Sequence, residues 1–396
     1  MRALIVVPSI APGTGGTATA VFESLAPLAR AGIETITIAT DLSRAASARS
    51  GERLGAAEIT APDPRASIRL CAVRRPYRFA FSPQLHAALR GQAPVDLVHI
   101  HSLFLFPQFA AWRYCRRTAT PYLVSIHGAL DRYLRERGRM RKRLTSLAWQ
   151  DDMLRNASLI HVTSDAEADA VSEVIPHDRL VTVPNGIDTA HFDQVSSGGE
   201  FRRRFLNGHD GPLVLYLGRL SFKKGLGLLI DGFAAAHREL PGARLAVVGP
   251  DDEGLLPSLR DRARELRIAE AVTFTGPLYG PNRLDALGAA DAWVLPSHTE
   301  NFGIAVIEAM AAGVPVIVST GVNIAPDIEA TDAGVVIDRE VPALRDALVR
   351  LLRNDELRTA LAERGRALAR GYDWSTVGPQ LAAAYRAAAG RPHRAT

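Results

Sequence analysis

The chain has 396 residues, about twice a typical single domain of ~100 to 200 residues, which predicts two domains and room for a ligand cleft between them. With 47% hydrophobic and 22% charged residues, 32 Gly and 24 Pro, the composition excludes a disordered or collagen-like chain, and two cysteines, Cys71 and Cys115, exclude a disulfide framework or a cysteine zinc site and suit a reducing compartment. The net charge of +5 arises in the first half: residues 1–196 carry 23 Lys/Arg against 18 Asp/Glu, whereas residues 197–396 carry 24 of each.

Met1 to Pro12 holds a single charge, Arg2, and an apolar run broken at Pro8. That is too short for a signal peptide and reads as a first strand. Short, largely β-branched strands are expected at Ala3–Pro8, Thr35–Thr40, Leu97–His101, Tyr122–His127 and Leu159–Thr163, with helices such as Ala18–Ala31 and Gln108–Arg117 between them. The pattern restarts at Leu213–Leu217, Arg244–Val248, Val272–Thr275, Ala292–Pro296 and Pro315–Ser319. Alternating strands and helices of this kind predict an α/β chain of two doubly wound parallel sheets. The Pro184-Asn185-Gly186 cluster and Ser196 to Gly199 place a hinge near residues 184–200. No stretch approaches the ~20 apolar residues of a membrane span, so membrane contact, if any, is peripheral.

Ligands of open parallel sheets bind beyond the carboxyl ends of the strands. After the first strand, Pro12-Gly-Thr-Gly-Gly-Thr17 precedes a helix whose unpaired N–H groups suit a phosphate. Its spacing is not G-x-G-x-x-G, and a plain tight turn explains Gly15 and Gly16 equally well. The first strand of the second half runs into Gly218-Arg-Leu-Ser-Phe-Lys-Lys-Gly225, where Arg219 and Lys224 suit a diphosphate, with a solvated basic loop as the alternative. In Ser297-His-Thr-Glu-Asn-Phe-Gly-Ile-Ala-Val-Ile-Glu308, Glu300 precedes an apolar helix beginning near Phe302, and the N–H groups of Asn301, Phe302 and Gly303 are open to a ligand. Glu308 lies inside that helix among Ile304, Val306, Ile307 and Met310 and requires a partner or a ligand. The alternative is that Glu300 caps the helix and Glu308 pairs with a structural Arg. His127, followed by Gly128, and His101 stand at strand ends, where histidines are catalytic or structural.

Taken in order, these pieces resemble the retaining glycosyltransferases of the GT-B fold, glycosyltransferase family 4. The resemblance spans nearly the whole chain: Gly15-Gly16, Ser125-Ile-His-Gly128, Val183-Pro-Asn-Gly-Ile-Asp188, Gly218-Arg219 with Lys223-Lys224-Gly225, Phe274-Thr-Gly276, and Glu300-x7-Glu308 running into Ala311-Ala-Gly-Val-Pro-Val316. It implies two Rossmann-like domains facing a central cleft: an acceptor-binding domain over residues 1–190, a nucleotide-sugar-binding domain over 191–372, and a final helical segment, 373–396, crossing back to the first. It further implies that Arg219 and Lys224 hold a diphosphate without metal or cofactor, that Glu308 takes the ribose hydroxyls, and that Glu300 with the Asn301–Gly303 backbone takes the donor sugar. His127 would face the reacting side of that sugar and Gly15-Gly16 the phosphate or the acceptor. Thr320-Gly-Val-Asn-Ile-Ala-Pro-Asp327 departs from the double glycine and Glu of many members and resembles a subset associated with surface and extracellular polysaccharide assembly.

The expected reaction moves a sugar from a nucleoside diphosphate sugar to a hydroxyl of a sugar or lipid-linked sugar acceptor, in the cytoplasm or on the inner face of its membrane. A nucleotide-sugar 2-epimerase and a non-catalytic nucleotide-sugar-binding protein are the alternatives. Between Arg132 and Arg143, Arg132, Arg135, Arg137, Arg139, Arg141, Lys142 and Arg143 face Glu136 alone. This segment is expected to meet an anionic membrane surface or a lipid-linked acceptor, with a solvated basic helix as the alternative. No aromatic interleaving points to nucleic acid.

Overall fold

The structure is a computed structural model, and it describes residues 1–11, 15–42, 59–130, 145–172 and 175–391. The chain divides into two compact units, residues 1–186 with 374–396 and residues 187–373. Each is built on one parallel sheet. In the first unit the strands are β1 (Arg2–Ser9), β2 (Glu34–Thr40), β3 (Ala66–Cys71), β4 (Leu97–His101), β5 (Tyr122–Ser125), β6 (Leu159–Val162) and β7 (Leu180–Thr182). They lie in the order β3-β2-β1-β4-β5-β6-β7. The second unit has β8 (Leu213–Leu217), β9 (Arg244–Val248), β10 (Val272–Gly276), β11 (Ala292–Leu295), β12 (Val316–Ser319) and β13 (Val335–Ile337), in the order β10-β9-β8-β11-β12-β13.

Both faces of each sheet are covered, which is why the strands read as continuous apolar runs. In β1, Leu4 and Val6 join one buried cluster while Ala3, Ile5 and Val7 join another on the opposite face. The helices of the first unit are α1 (Gly16–Arg30), α2 (Pro83–Arg90), α3 (Phe106–Thr118), α4 (Asp151–Asn156), α5 (Asp165–Ser172) and the final α14 (Trp374–Ala389). Those of the second unit are α6 (Gly199–Leu206), α7 (Leu226–His237), α8 (Leu256–Glu265), α9 (Pro281–Gly288), α10 (Ile304–Ala311), α11 (Ala325–Ala330), α12 (Val341–Leu352) and α13 (Asp355–Arg370). α14 belongs to the first unit: Val377, Leu381 and Tyr385 share a core with Val21, Leu25 and Leu28 of α1, and the Trp374 indole N–H donates to Glu23 over 3.2 Å.

Strand order locates the ligand edge. In each sheet the direction of winding reverses between the first and fourth strands of the unit, β1/β4 and β8/β11, and the crevice beyond the carboxyl ends at such a point is the usual binding site. β1 leads to Gly15 and β4 ends at His101; β8 leads to Lys224 and β11 to Glu300. Among the described residues no helix is long and apolar enough to cross a membrane.

Candidate functional site

In the second unit the loop after β8 is pressed onto the loop after β11. Gly225 has φ +69°, and a Cβ there would stand 2.0 Å from the Pro296 carbonyl oxygen, so only glycine allows the two backbones to meet. The contact is reinforced where the His298 N–H donates to the Lys223 carbonyl over 2.7 Å. Glu253 fixes the first loop from the other side, accepting from the Ser221 hydroxyl at 2.9 Å and the Phe222 N–H at 3.0 Å.

This approach puts Lys224 in direct hydrogen bond with Glu300, with the Lys223 ammonium 3.8 Å from the same carboxylate oxygen. Arg219 lies 3.8 Å from Asp252. Burial pushes the Glu300 carboxyl up, but the Lys224 and Lys223 ammoniums, the hydrogen bond from Lys224 and the more distant Arg219 outweigh it and hold it at about 2. Burial lowers Lys224, as do Lys223 and Arg219, while Glu300 works the other way. Arg219, Lys223 and Lys224 thus stand in one loop, balanced by the carboxylates of Glu300, Asp252 and Glu253.

The helix after β11 begins at Ile304, not near Phe302. Gly303, at φ 87°, is its N-cap residue, so Asn301 and Phe302 belong to the preceding loop. Glu300 is not a cap. Its N–H donates to the Gly321 carbonyl at 2.8 Å and its carbonyl accepts from Asn323 at 3.0 Å, which ties this loop to the Thr320–Asp327 segment. Glu308 is buried in α10, 8% exposed, and pairs with Arg283 of α9, as the structural alternative anticipated.

In the first unit Gly15 is the N-cap residue of α1, with φ 112°, and Gly16 is the first residue of the helix; Pro12, Gly13 and Thr14 lie outside the described residues. β5 ends at Ser125, two residues before the expected end. His127 therefore sits in the following loop in the left-handed region, φ 51°. Its Nε2 lies 2.9 Å from His101 Nδ1. The next residue is clamped: the Gly128 N–H donates to Glu167 Oε1 at 2.7 Å, while Oε2 accepts the Thr163 N–H at 2.7 Å and the Thr163 hydroxyl at 2.9 Å.

Behind His127 lies a buried network that sequence reading missed. His161 Nε2 is 2.7 Å from the Val183 carbonyl, which can only accept, so that nitrogen carries the hydrogen. His161 Nδ1 then accepts from the Ser125 hydroxyl at 2.6 Å, Ser125 Oγ accepts from His99 Nε2 at 2.6 Å, and His99 Nδ1 accepts from the Tyr385 hydroxyl at 2.7 Å. His101 packs against His99 with ring centroids 3.8 Å apart. Burial holds all four imidazoles below their ordinary range, reinforced by the other rings for His99, His101 and His127, with His127 at about 3. The signal for this network was the period of two in β4, which sends His99 and His101 to one face.

Arg132, Arg135, Arg137, Arg139, Arg141, Lys142 and Arg143 lie outside the described residues. Among the described residues no cluster of His, Cys, Asp or Glu has the arrangement of a metal site.

Two family models match in succession: glycosyltransferase family 4 over residues 14–191 and glycosyl transferases group 1 over residues 199–368. The chain belongs to glycosyltransferase family 4, on the GT-B fold. It is 29% identical to a phosphatidyl-myo-inositol mannosyltransferase of Mycobacterium leprae over 78% of each chain, and 30% identical to a D-inositol 3-phosphate glycosyltransferase of Actinosynnema mirum over 60% of this chain and 59% of that one. The second of these alignments spans less than two thirds of the relative's length. Among solved structures, sucrose-phosphate synthase from Thermosynechococcus elongatus superposes with a TM-score of 0.80 at 22% identity, covering 97% of this chain and 98% of that one. HepE of Anabaena, in complex with UDP and glucose, gives 0.75 at 17% identity over 97% and 99% of the two chains. The protein is thus a glycosyltransferase.

Proposed function

We propose that the second unit binds a nucleoside diphosphate sugar and that the enzyme transfers the sugar, with retention of anomeric configuration and without a metal, to a hydroxyl of a sugar or lipid-linked sugar acceptor held by the first unit. The observation that carries this reading is the cluster at the β8/β11 switch point, where Lys224, Lys223 and Arg219 surround Glu300. Departure of the nucleoside diphosphate builds negative charge on the phosphates and oxocarbenium-like charge on the sugar. Fixed cations already aimed at the phosphates stabilise that separation without reorganising. Glu300, kept ionised by the same cations, orients Lys224 and accepts from sugar hydroxyls, to whose oxygens the Asn301–Gly303 backbone N–H groups donate. Glu308 receives the ribose hydroxyls.

In the first unit His127 meets the donor sugar's reacting side and Gly15-Gly16, at the N-terminus of α1, the phosphate or the acceptor. The acceptor hydroxyl attacks from the face the leaving group departs, and a phosphate oxygen takes its proton, so no protein nucleophile is needed. The names of the relatives, an inositol-lipid mannosyltransferase and an inositol phosphate glycosyltransferase, support a glycolipid or phosphorylated polyol acceptor.

Turnover assays on UDP-, GDP- and ADP-sugars, with and without acceptor mixtures of sugar phosphates and lipid-linked sugars, test the reading. A transferase releases nucleoside diphosphate in proportion to acceptor. A 2-epimerase changes the donor sugar with no acceptor dependence, and a binding protein leaves the donor intact; either result refutes the proposal.

A further inference from the structure

β5 and β6 are parallel neighbours, with Ser125 opposite His161 in register, so the loops that follow them leave the sheet side by side. The first loop is a tight turn. The Ala129 N–H donates to the Ile126 carbonyl at 3.2 Å, and both central residues, His127 and Gly128, have positive φ, 51° and 70°. That is the type I′ pattern, natural for Gly128 but unfavourable for His127, which carries a Cβ. Such a conformation persists where contacts outside the turn hold it.

The hold comes from Glu167, in the first turn of α5. With Ser164 it begins as a capping box, Ser164 Oγ accepting the Glu167 N–H at 3.2 Å. In that motif the glutamate side chain returns to the N–H of the capping serine. Here Oε2 takes the Thr163 N–H and hydroxyl instead, at 2.7 and 2.9 Å, and Oε1 crosses to the Gly128 N–H at 2.7 Å, 39 residues away. Glu167 is 3% exposed, so these bonds are shielded from water. On the other side of the turn His127 Nε2 lies 2.9 Å from His101 Nδ1, with the two rings stacked at 18°. Nε2 is thereby engaged, and Nδ1 is the ring nitrogen left for a ligand.

We propose that Glu167 is the positioning residue for His127: anchored on Thr163 by one oxygen, it holds the Gly128 N–H with the other and so keeps the turn that aims the imidazole at the sugar. The inference rests on His127 meeting the donor sugar's reacting side. Glu167 itself touches no substrate. It acts on the chemical step through the placement of the imidazole and leaves nucleotide binding by the second unit unaltered.

The test compares wild type, Glu167→Gln, Glu167→Asp, His127→Ala and the Glu167→Gln/His127→Ala double variant, using the nucleotide sugar and acceptor mixture that give the wild type its fastest turnover. Gln keeps the length but offers one acceptor oxygen for two loops, whereas Asp offers two oxygens on a side chain one methylene shorter. The expected result is a fall in kcat of about tenfold for each Glu167 variant, with the dissociation constants for UDP, GDP and ADP unchanged. Adding Glu167→Gln to His127→Ala should lower kcat no further. Hydrogen exchange, read by mass spectrometry on peptides covering residues 126–129, should quicken in both Glu167 variants. Wild-type kcat in the Glu167 variants, an equal loss with and without the His127 imidazole, or unchanged exchange at 126–129 overturns the positioning role while leaving the reading of His127 intact. If His127→Ala turns over as wild type, the reading of His127 itself fails and the positioning role falls with it.

Discussion

The Tyr385 hydroxyl, on the last helix, donates to His99 Nδ1 on β4 over 2.7 Å, and both side chains are buried. The bond begins a one-directional chain through Ser125 and His161 to the Val183 carbonyl, so removing its first donor leaves a buried acceptor empty. Tyr385→Phe is expected to cost ~1 to 3 kcal/mol of stability. Chemical denaturation followed by fluorescence checks this; an unchanged midpoint would show that the bond contributes nothing.

Acid should weaken the first unit more steeply than the second, where burial also lowers His237 and His298 but no buried imidazole network is present among the described residues. His99, His101, His127 and His161 bind protons less readily folded than unfolded. Their contribution is therefore complete above the ordinary histidine pKa of ~6.5 and is lost as pH falls through it, by about 1.4 kcal/mol per pH unit for each imidazole that stays neutral in the fold. The Glu300 carboxyl, depressed to about 2, loses its contribution only between the ordinary range near 4.5 and 2. Trp112, Trp149 and Trp374 lie in the first unit and Trp293 in the second, so tryptophan fluorescence reports mainly the first. Its melting temperature should drop between pH 7 and 5. A flat profile would contradict the neutral-network account.

Much of this was legible in the sequence, for reasons that particular elements make plain. Leu97–His101, Leu213–Leu217 and Arg244–Val248 begin and end where expected, because buried parallel strands are short, mostly apolar runs bounded by polar turns. β3 was missed because it is a sheet edge: Ser67 and Arg69 are exposed and break the run. β7 and β13, three residues each, are too short to show a period. The β11 loop and α10 were located by their glycines and carboxylates, but the helix start moved to Ile304 once Gly303 proved to be left-handed. The partners of Glu308, Glu300 and His127 were beyond local reading. Arg283 lies 25 residues from Glu308, Lys224 lies 76 from Glu300, and His101 lies 26 from His127, so only the packing of strands brings each pair together.

Gly225→Ala should disturb the donor site from a position that carries no charge. The added methyl would meet the Pro296 carbonyl and disfavour the left-handed backbone, separating the Lys223–Lys224 loop from Glu300. The expected outcome is a rise of at least about tenfold in the nucleotide dissociation constant, accompanied by lower stability. Wild-type binding by a folded variant would mean that the two loops need not touch.

The segment from Arg132 to Arg143 is expected, on its charge alone, to hold the enzyme on anionic membranes at low salt, since each engaged cation contributes on the order of 1 kcal/mol near such a surface. Co-sedimentation with vesicles of rising anionic lipid content checks it. Equal binding to neutral vesicles, or no loss when Arg139, Arg141, Lys142 and Arg143 become Ser, would rule it out.

The cations of the second unit are proposed to hold a nucleoside diphosphate without a metal. Calorimetric titration of wild type and Lys224→Ala with UDP, GDP and ADP in the presence of EDTA addresses this most directly. At least one nucleotide is expected to bind in EDTA as tightly as in magnesium, and Lys224→Ala to weaken that binding by about 10- to 100-fold, the worth of a charge-assisted hydrogen bond of ~1.5 to 3 kcal/mol. Binding that requires a divalent cation, or that survives intact in Lys224→Ala, would contradict the proposal.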